Sequence, residues 1–329
     1  MKKFINQVEL VEDQMIAGMV KAYPQYVRKL DCGNVVVRTE KKEGKVALIS
    51  GGGSGHEPAH GGYVGTGMLD AAVAGAVFTS PTPDQIYEGI KAIATDKGVL
   101  MVIKNYTGDV MNFEMAGEMA QMDDIKVAQV VVDDDVAVDG SLYTVGRRGV
   151  AGTVFVHKIA GAKAEEGAEL EEVQRVAQKV IDNVRTMGVA IRPCTVPAAG
   201  KPGFELGEDE MEVGIGIHGE PGTHKEPLRP ADEIVDHILD KILSDIDYTG
   251  HEVAVMVNSS GATPLMELFI INNHVADVLA AKGIKVYKTF VGEYMTSLEM
   301  EGFSVSLLRL DDELKALLDA HADTIAFKA

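Results

Sequence analysis

The stretch KVALISGGGSGHEP, residues 45–58, sets a short apolar run directly before a glycine-rich turn. An unbroken apolar run of this length is typical of a strand buried on both faces of a parallel sheet. Glycines after such a strand permit positive φ and let a ligand approach the backbone closely. In open α/β sheets, ligands bind at the carboxyl ends of the strands. The stretch therefore predicts either a tight turn or a ligand site, and the adjoining His56-Glu57-Pro58 favours the site.

Two familiar phosphate-binding loops do not fit this turn. No Lys-Ser or Lys-Thr follows the glycines at the Walker A spacing. In the dinucleotide-binding pattern, the third glycine would fall at the position that His56 occupies. The sequence thus offers no evident nucleotide-binding loop.

Apolar runs at 99–103 and 127–132 also end in polar turns, KNYTGD and DDD. Helical patterns alternate with these runs at 83–95, 112–121, 151–164 and 169–186. This alternation predicts a mostly parallel or mixed sheet covered by helices. We therefore predict an α/β protein of two domains, with an N-terminal α/β domain over residues 1–185.

The second half of the sequence has a different hydrophobic pattern, in which polar and apolar residues alternate more often. This alternation is typical of a sheet with one covered face, and it predicts a smaller α+β domain over residues 186–329. Its predicted strands are 211–217, 252–258, 285–291 and 303–310, and its predicted helices are 231–244 and 264–281.

The chain is acidic, with a net charge of −19 over 329 residues. Nucleic acids and anionic membranes are bound mainly through Lys and Arg, so the charge argues against both kinds of partner. The two cysteines, Cys32 and Cys194, match no metal or redox spacing. The sequence has no secretory signal pattern and no apolar run of about 18 residues, which predicts a cytoplasmic protein without a membrane span.

His218 is the leading candidate residue outside the glycine turn. It lies in IGIHGEPG, residues 215–222, where the flanking glycines supply no side-chain wall for a packed core histidine. The imidazole could act as nucleophile, base or metal ligand, although no spacing typical of a metal site accompanies it. Lys104 and Asp109 could orient a substrate oxygen and accept its proton, or could serve only as turn residues.

The other polar and sulfur-containing clusters have simpler interpretations. A methionine stripe at helical spacing, Met111, Met115 and Met119, predicts core packing. The acidic run 133–135 could bind a cation but is more typical of a solvated turn, and Arg147 and Arg148 could meet a phosphate or pair with that run. Seven further histidines are interpreted as surface or incidental residues: His60, His157, His224, His237, His251, His274 and His321.

Eight segments, taken together and in order, resemble the substrate-binding subunit of dihydroxyacetone kinase. They cover nearly the whole chain, so the resemblance is far more specific than any one of them. The segments are GGGSGHEP (51–58), FTSPTPD (78–84), KNYTGD (104–109), DDDVAV (133–138), YTVGRRGV (143–150), CTVPAAGKP (194–202), GIHGEPG (216–222) and GATPL (261–265).

The resemblance implies a covalent mode of binding. The family histidine that matches His218 adds through its imidazole to the ketone carbon as a hemiaminal, which discriminates against molecules without a reactive carbonyl, such as glycerol. The resemblance also implies Asp109 as the general base and His56 as a hydrogen-bonding residue that assists proton movement. The positions that would contact the triose are Gly53, Ser80 and Lys104.

The resemblance further implies that the phosphoryl donor lies on another chain. ATP-dependent family members carry an additional nucleotide-binding domain, which this sequence lacks, so it resembles the separate subunit of phosphotransferase-dependent kinases. In those systems a partner subunit holds ADP and Mg²⁺, and a phosphotransferase component recharges it. This chain would bind no cofactor itself and would form a homodimer.

A second function remains open at this stage. Some paralogues in the family are coactivators that bind the same triose and control a transcription regulator without catalysis. The presence of Asp109 and His56 together with His218 favours the kinase, because a sensor needs the anchor but not the base.

Overall fold

The computed structural model describes residues 2–138, 144 and 146–329. A first six-stranded sheet has the order β1-β2-β5-β3-β6-β7. Its strands are β1 (Val27–Lys29), β2 (Val35–Arg38), β3 (Ala47–Ser54), β5 (Ala71–Val77), β6 (Val99–Lys104) and β7 (Val127–Val132), with a short β4 (Gly65–Thr66) outside the sheet. β5, β3, β6 and β7 are parallel, whereas β1 and β2 are antiparallel. The predicted mixed sheet is thus confirmed.

Helices cover both faces of this sheet, and the alternating side chains of β3 explain why. Ile49 packs in a core with α2 (Pro83–Ile93) and α3 (Thr107–Met122). Its neighbour Leu48 points to the opposite face, into a core that contains α4 (Thr153–Glu165) and α5 (Leu170–Asn183). A strand apolar on both sides therefore needs two helical layers. α1 (Val11–Ala22) packs against β5 on the face of Leu48.

A second six-stranded sheet, of order β10-β9-β8-β13-β11-β12, is built from the rest of the chain. All neighbours in it are antiparallel except β11 and β12. Its elements are β8 (Val184–Arg192), β9 (Glu210–Val213), β10 (His224–Pro227), α6 (Ala231–Asp245), β11 (Glu252–Ser259), α7 (Leu265–Ala281), β12 (Lys285–Gly292) and β13 (Glu301–Leu310). The chain closes with α8 (Asp312–Asp319), which packs on α4, and β14 (Asp323–Thr324), which pairs with β4.

The expectation that this second sheet has one covered face is wrong. Val255 of β11 packs in the core formed with α6 and α7, whereas Met256 packs in the core that holds α4 and α5. α4 and α5 therefore form a middle layer shared by the two sheets. The alternation that suggested an open face belongs to the edge strand β12, whose pattern of burial does alternate.

The first sheet ends at Val132 and the second begins at Val184, but one apolar core extends across the middle layer to both sheets. The division into residues 1–185 and 186–329 remains a prediction. Among the described residues, no helix is both long and apolar enough to cross a bilayer.

Candidate active site

Several of the predicted site residues lie at the carboxyl ends of the parallel strands of the first sheet. Gly51, Gly52 and Gly53 continue β3 as strand residues rather than forming the predicted turn. Lys104 ends β6 beside them, and its Nζ lies 3.5 Å from the carbonyl oxygen of Gly51. Gly52 has a φ of 155°, and a Cβ there would come within 2.5 Å of the Lys104 ammonium. The absence of a side chain at Gly52 thus lets the lysine lie against this end of β3.

Asp109 lies in the first turn of α3, immediately after β6. One carboxylate oxygen, Oδ2, is 3.5 Å from Lys104 Nζ, and the other accepts a hydrogen bond from the hydroxyl of Ser80. A carboxylate has about four lone-pair sites, so Asp109 can accept a further hydrogen bond.

His56 is fully buried, and its surroundings define its tautomer. Nδ1 lies 2.9 Å from the carbonyl oxygen of Thr296. A carbonyl only accepts, so Nδ1 carries the proton and Nε2 keeps its lone pair. Nε2 is buried without a hydrogen-bond partner among the residues described. Burial, followed by the charge of Lys104, lowers the pKa of His56 to about 3, so the ring is a neutral acceptor.

Phe78 holds the ring of His56 in place from the end of β5. The two rings stack with centroids 5.2 Å apart. Phe78 has a φ of 56°, a backbone conformation that is unfavourable for a bulky residue. Strain of this kind is concentrated at functional sites, where the surrounding structure sustains it. A Cβ at Gly53 would lie 2.6 Å from Cα of Phe78, so Gly53 shapes the site by admitting this turn.

His218 reaches the same edge from the second sheet, on the connection between β9 and β10. Its ring makes edge contacts with three aromatic rings, at centroid distances of 4.7 Å to His56, 5.6 Å to Phe78 and 4.3 Å to Tyr106. Burial is the largest cause that holds its pKa well below the usual range, and electrostatic coupling to the His56 ring and the charge of Lys104 lower it further. A neutral imidazole therefore lies among aromatic walls, although the sequence suggested a histidine without them.

A cavity of about 490 Å³ opens in front of these groups. Of the predicted residues, Ser80, Asp109 and His218 line it. His56 and Lys104 do not line it, but they contact the lining residues His218 and Asp109, respectively. Gly53 does not line it either and lies against the backbone of Phe78, which does. Other lining residues include Phe78, Tyr106, Gly203 and Glu220. The cavity thus combines a neutral imidazole, a carboxylate and a hydroxyl.

Positive charge is scarce on this cavity wall. No lysine or arginine occurs among the described residues that line it. The first residues of α3, Thr107 and Gly108, do line it, and the N-terminus of a helix favours anions. No group of three or more potential metal ligands is present in the described part of the chain. A highly charged phosphoryl group would need most of its neutralising cations from elsewhere.

Several residues of the site escaped sequence reasoning. Phe78 and Tyr106 lie inside the segments FTSPTPD and KNYTGD. An aromatic residue next to the polar residues of such a segment could have been predicted as part of the site. Thr296 gave no signal, because it lies 240 residues from His56 in the chain.

Three structural interpretations of the sequence are corrected. Met111 and Met115 are about half exposed rather than core residues, because α3 buries the face that carries Phe113, Ala116 and Ala120 instead. His60 and His157 are buried and hydrogen-bonded to each other at 3.0 Å, not surface residues. Asp134 and Asp135 are buried rather than solvated.

The acidic run is hydrogen-bonded within the protein, and the two arginines pair with different carboxylates. Asp134 accepts hydrogen bonds from the backbone N–H groups of Val150 and Gly152. Arg148 pairs with Asp135, as one of the two alternatives proposed, whereas Arg147 pairs with Asp245. Of the segment 143–150, positions 143 and 145 lie outside the described residues.

Fold and site together define a two-sheet α/β protein with a histidine-bearing turn placed over the carboxyl ends of parallel strands. The Dak1 domain matches residues 17–326, and the chain belongs to this family. It is 56% identical to the PTS-dependent dihydroxyacetone kinase 1, dihydroxyacetone-binding subunit, of Listeria innocua, over 99% of this chain and 100% of that one.

Two solved structures are similar over most of the chain. The dihydroxyacetone kinase of C. freundii is 35% identical with a TM-score of 0.93, over 99% of this chain and 60% of that one. A dihydroxyacetone kinase operon co-activator is 37% identical with a TM-score of 0.89, over 95% of this chain and 97% of that one. The fold is therefore that of a dihydroxyacetone kinase substrate-binding subunit.

Proposed function

We propose that this protein is the dihydroxyacetone-binding subunit of a phosphotransferase-dependent dihydroxyacetone kinase. One observation carries the proposal: a neutral histidine, a buried proton acceptor and a carboxylate meet around one small cavity. The relative that matches over its full length bears this function in its name.

In the first step, a ring nitrogen of His218 adds to C2 of the ketone. The C–N bond forms as the carbonyl π bond breaks, and the proton lost from the other ring nitrogen ends on the former carbonyl oxygen. The product is a neutral hemiaminal with no leaving group. Addition needs an imidazole with a free lone pair, and the lowered pKa of His218 supplies the neutral ring.

In the second step, a terminal hydroxyl of the bound triose attacks the phosphorus of the donor. The O–P bond to ADP breaks, and the hydroxyl proton passes to Asp109. His56, through Nε2, accepts a hydrogen bond from the substrate and assists proton movement. The covalent bond to His218 holds the hydroxyl in place for this transfer. The reaction between triose and donor is then effectively unimolecular within the complex.

The donor in this proposal is a second subunit with bound ADP and Mg²⁺, recharged by a phosphotransferase component. The cavity wall of this chain lacks Lys and Arg among its described lining residues, so the partner supplies the cations that phosphoryl transfer requires. This chain binds no cofactor of its own. We also propose that it is a cytoplasmic homodimer.

A coactivator function is the alternative, because a co-activator is among the similar structures. A sensor needs the covalent anchor but gains nothing from a base at the reacting hydroxyl. The contact of Asp109 with both Ser80 and Lys104 at the cavity supports catalysis.

The test mixes the purified protein with dihydroxyacetone, the ADP-bearing subunit and the phosphotransferase components, and measures dihydroxyacetone phosphate. Steady turnover is expected, and Asp109→Asn is expected to bind triose but lose about 10²–10⁴-fold in kcat. Asp312→Asn is the control, since Asp312 also lies in a first helical turn but is fully exposed. A bound triose that is never phosphorylated would favour the coactivator.

A further inference from the structure

Arg148 connects the first sheet to the turn that carries His218. Its side chain is 2% exposed. On one side it pairs with Asp135, which follows β7, through Nε at 2.8 Å and Nη2 at 2.6 Å. On the other side it reaches the connection between β9 and β10, with Nη2 2.7 Å from the carbonyl oxygen of Gly214 and Nη1 3.3 Å from Glu220 Oε1. One buried guanidinium therefore touches the turn both before and after His218.

Glu220 passes this restraint to His218 itself. Its second oxygen, Oε2, accepts a hydrogen bond of 2.8 Å from the backbone N–H of His218. The carboxylate thus joins the guanidinium of Arg148 to the peptide group that carries the imidazole. Charge-assisted hydrogen bonds of this kind are stronger and more directional than neutral ones.

Gly216 shows how closely these groups pack. A Cβ at this position would lie 1.8 Å from Glu220 Oε1 and 2.7 Å from Arg148 Nη1. No other residue fits there without displacing the ion pair. Gly216, two residues before His218, therefore serves packing rather than an exposed turn, because it leaves room for Glu220 and Arg148.

We propose that Asp135, Arg148 and Glu220 form a clamp that positions His218 for addition to the ketone. The proposal rests on the proposed function, and it makes Arg148 and Glu220 positioning residues, since the clamp acts through the backbone of His218. Addition requires the ring nitrogen at a defined angle and distance from C2. A turn that is held on both sides of His218 loses less conformational entropy when the adduct forms. The clamp therefore favours the adduct over the loosely bound triose.

Glu220→Gln tests the clamp with little change in shape. The amide oxygen can still accept from His218 N–H, but the charge that pairs with Arg148 is lost. Asp245→Asn is the matched control, because Asp245 pairs with the neighbouring Arg147 and also with Arg185, away from the cavity. Gly216→Ala disturbs the clamp independently by displacing Glu220 and Arg148.

The readout is the adduct itself, measured with dihydroxyacetone labelled with ¹³C at C2. Addition moves the C2 signal from the carbonyl region to that of a tetrahedral carbon. We expect Glu220→Gln and Gly216→Ala to lower the adduct-to-free ratio, and to raise KM, by about tenfold each. The kcat of Glu220→Gln should stay within about threefold, because the group that takes the hydroxyl proton is unchanged.

The outcomes separate the clamp from the function on which it rests. If Glu220→Gln retains the parent adduct ratio and KM while folded, the clamp is wrong. An equal loss in Asp245→Asn also contradicts it, since any broken ion pair would then suffice. If the parent protein forms no adduct, the proposed function fails before the clamp is tested.

Discussion

At the scale of single residues, His218 is the anchor in the proposed mechanism. His218→Ala removes the only group that the mechanism allows to bond to C2, so the tetrahedral ¹³C signal should disappear. Triose binding should weaken about 100-fold, equivalent to about 2.7 kcal/mol. His251→Ala is the control, because His251 is exposed and lies away from the cavity. An adduct that persists in His218→Ala would place the anchor elsewhere.

The protonation of the site shows what residue patterns leave open. The sequence offered His218 as nucleophile, base or metal ligand, and His56 as a neighbour of glycines. The tautomer of His56 follows from the carbonyl of Thr296, and the lowered pKa of His218 follows from burial beside His56 and Lys104. Both depend on contacts with residues distant in the chain.

At the scale of secondary-structure elements, the glycine end of β3 carries the next prediction. Gly52→Ala would push a Cβ to within 2.5 Å of Lys104 Nζ and would strain a φ of 155°. We expect a loss of about 1–3 kcal/mol in the free energy of unfolding. Triose binding should also fall, since Lys104 must move away from Asp109.

Gly44→Ala is the control for this prediction. Gly44 also has a positive φ, of 71°, but a Cβ there would meet nothing within 4 Å. It should lose stability from backbone strain while triose binding stays at the parent level. Denaturant unfolding and calorimetric titration with dihydroxyacetone measure the two effects. Equal binding losses in both variants would mean that strain, not the position of Lys104, controls binding.

Element prediction from sequence worked where the pattern was strong. The runs at 99–103 and 127–132 became β6 and β7 almost residue for residue. β5 was not predicted, because its sequence AAVAGAV is poor in the branched and aromatic residues that mark strands. α3 begins at Thr107 rather than at 112, since its first turn is made of the polar residues that carry the site and not of core positions.

At the scale of the whole molecule, buried neutral histidines make stability depend on pH. Burial lowers the pKa of His56 and of His157 to about 3. The unfolded chain protonates these rings near a pH of about 6.5, while the folded chain cannot. Stability is therefore complete above about pH 6.5 and falls towards pH 3, by about 1.4 kcal/mol per pH unit for each histidine.

His157→Gln isolates this effect from the acid titration of carboxylates, which parent and variant share. The slope of unfolding free energy against pH, measured in urea between pH 4 and 6, should fall by about 1.4 kcal/mol per unit. His321→Gln, at an exposed position, should keep the parent slope. An unchanged slope in His157→Gln would mean that the ring is protonated in the folded protein.

By itself, the sequence determined the local features of this protein. Apolar runs followed by polar turns predicted the parallel strands and the edge where a ligand binds, because burial and backbone conformation are recorded in neighbouring residues. The ordered segments identified the family and the candidate residues for the same reason: each segment is short and contiguous.

Only the tertiary structure decided how distant segments meet at His218. The carbonyl of Thr296 orients His56. The ion pair of Asp135 and Arg148 holds the turn that carries His218, and α4 and α5 form a layer shared by both sheets. These contacts join residues far apart in the chain, and they depend on how two sheets pack across a common core. A pattern within one strand or helix reports that a face is buried, but not which element covers it.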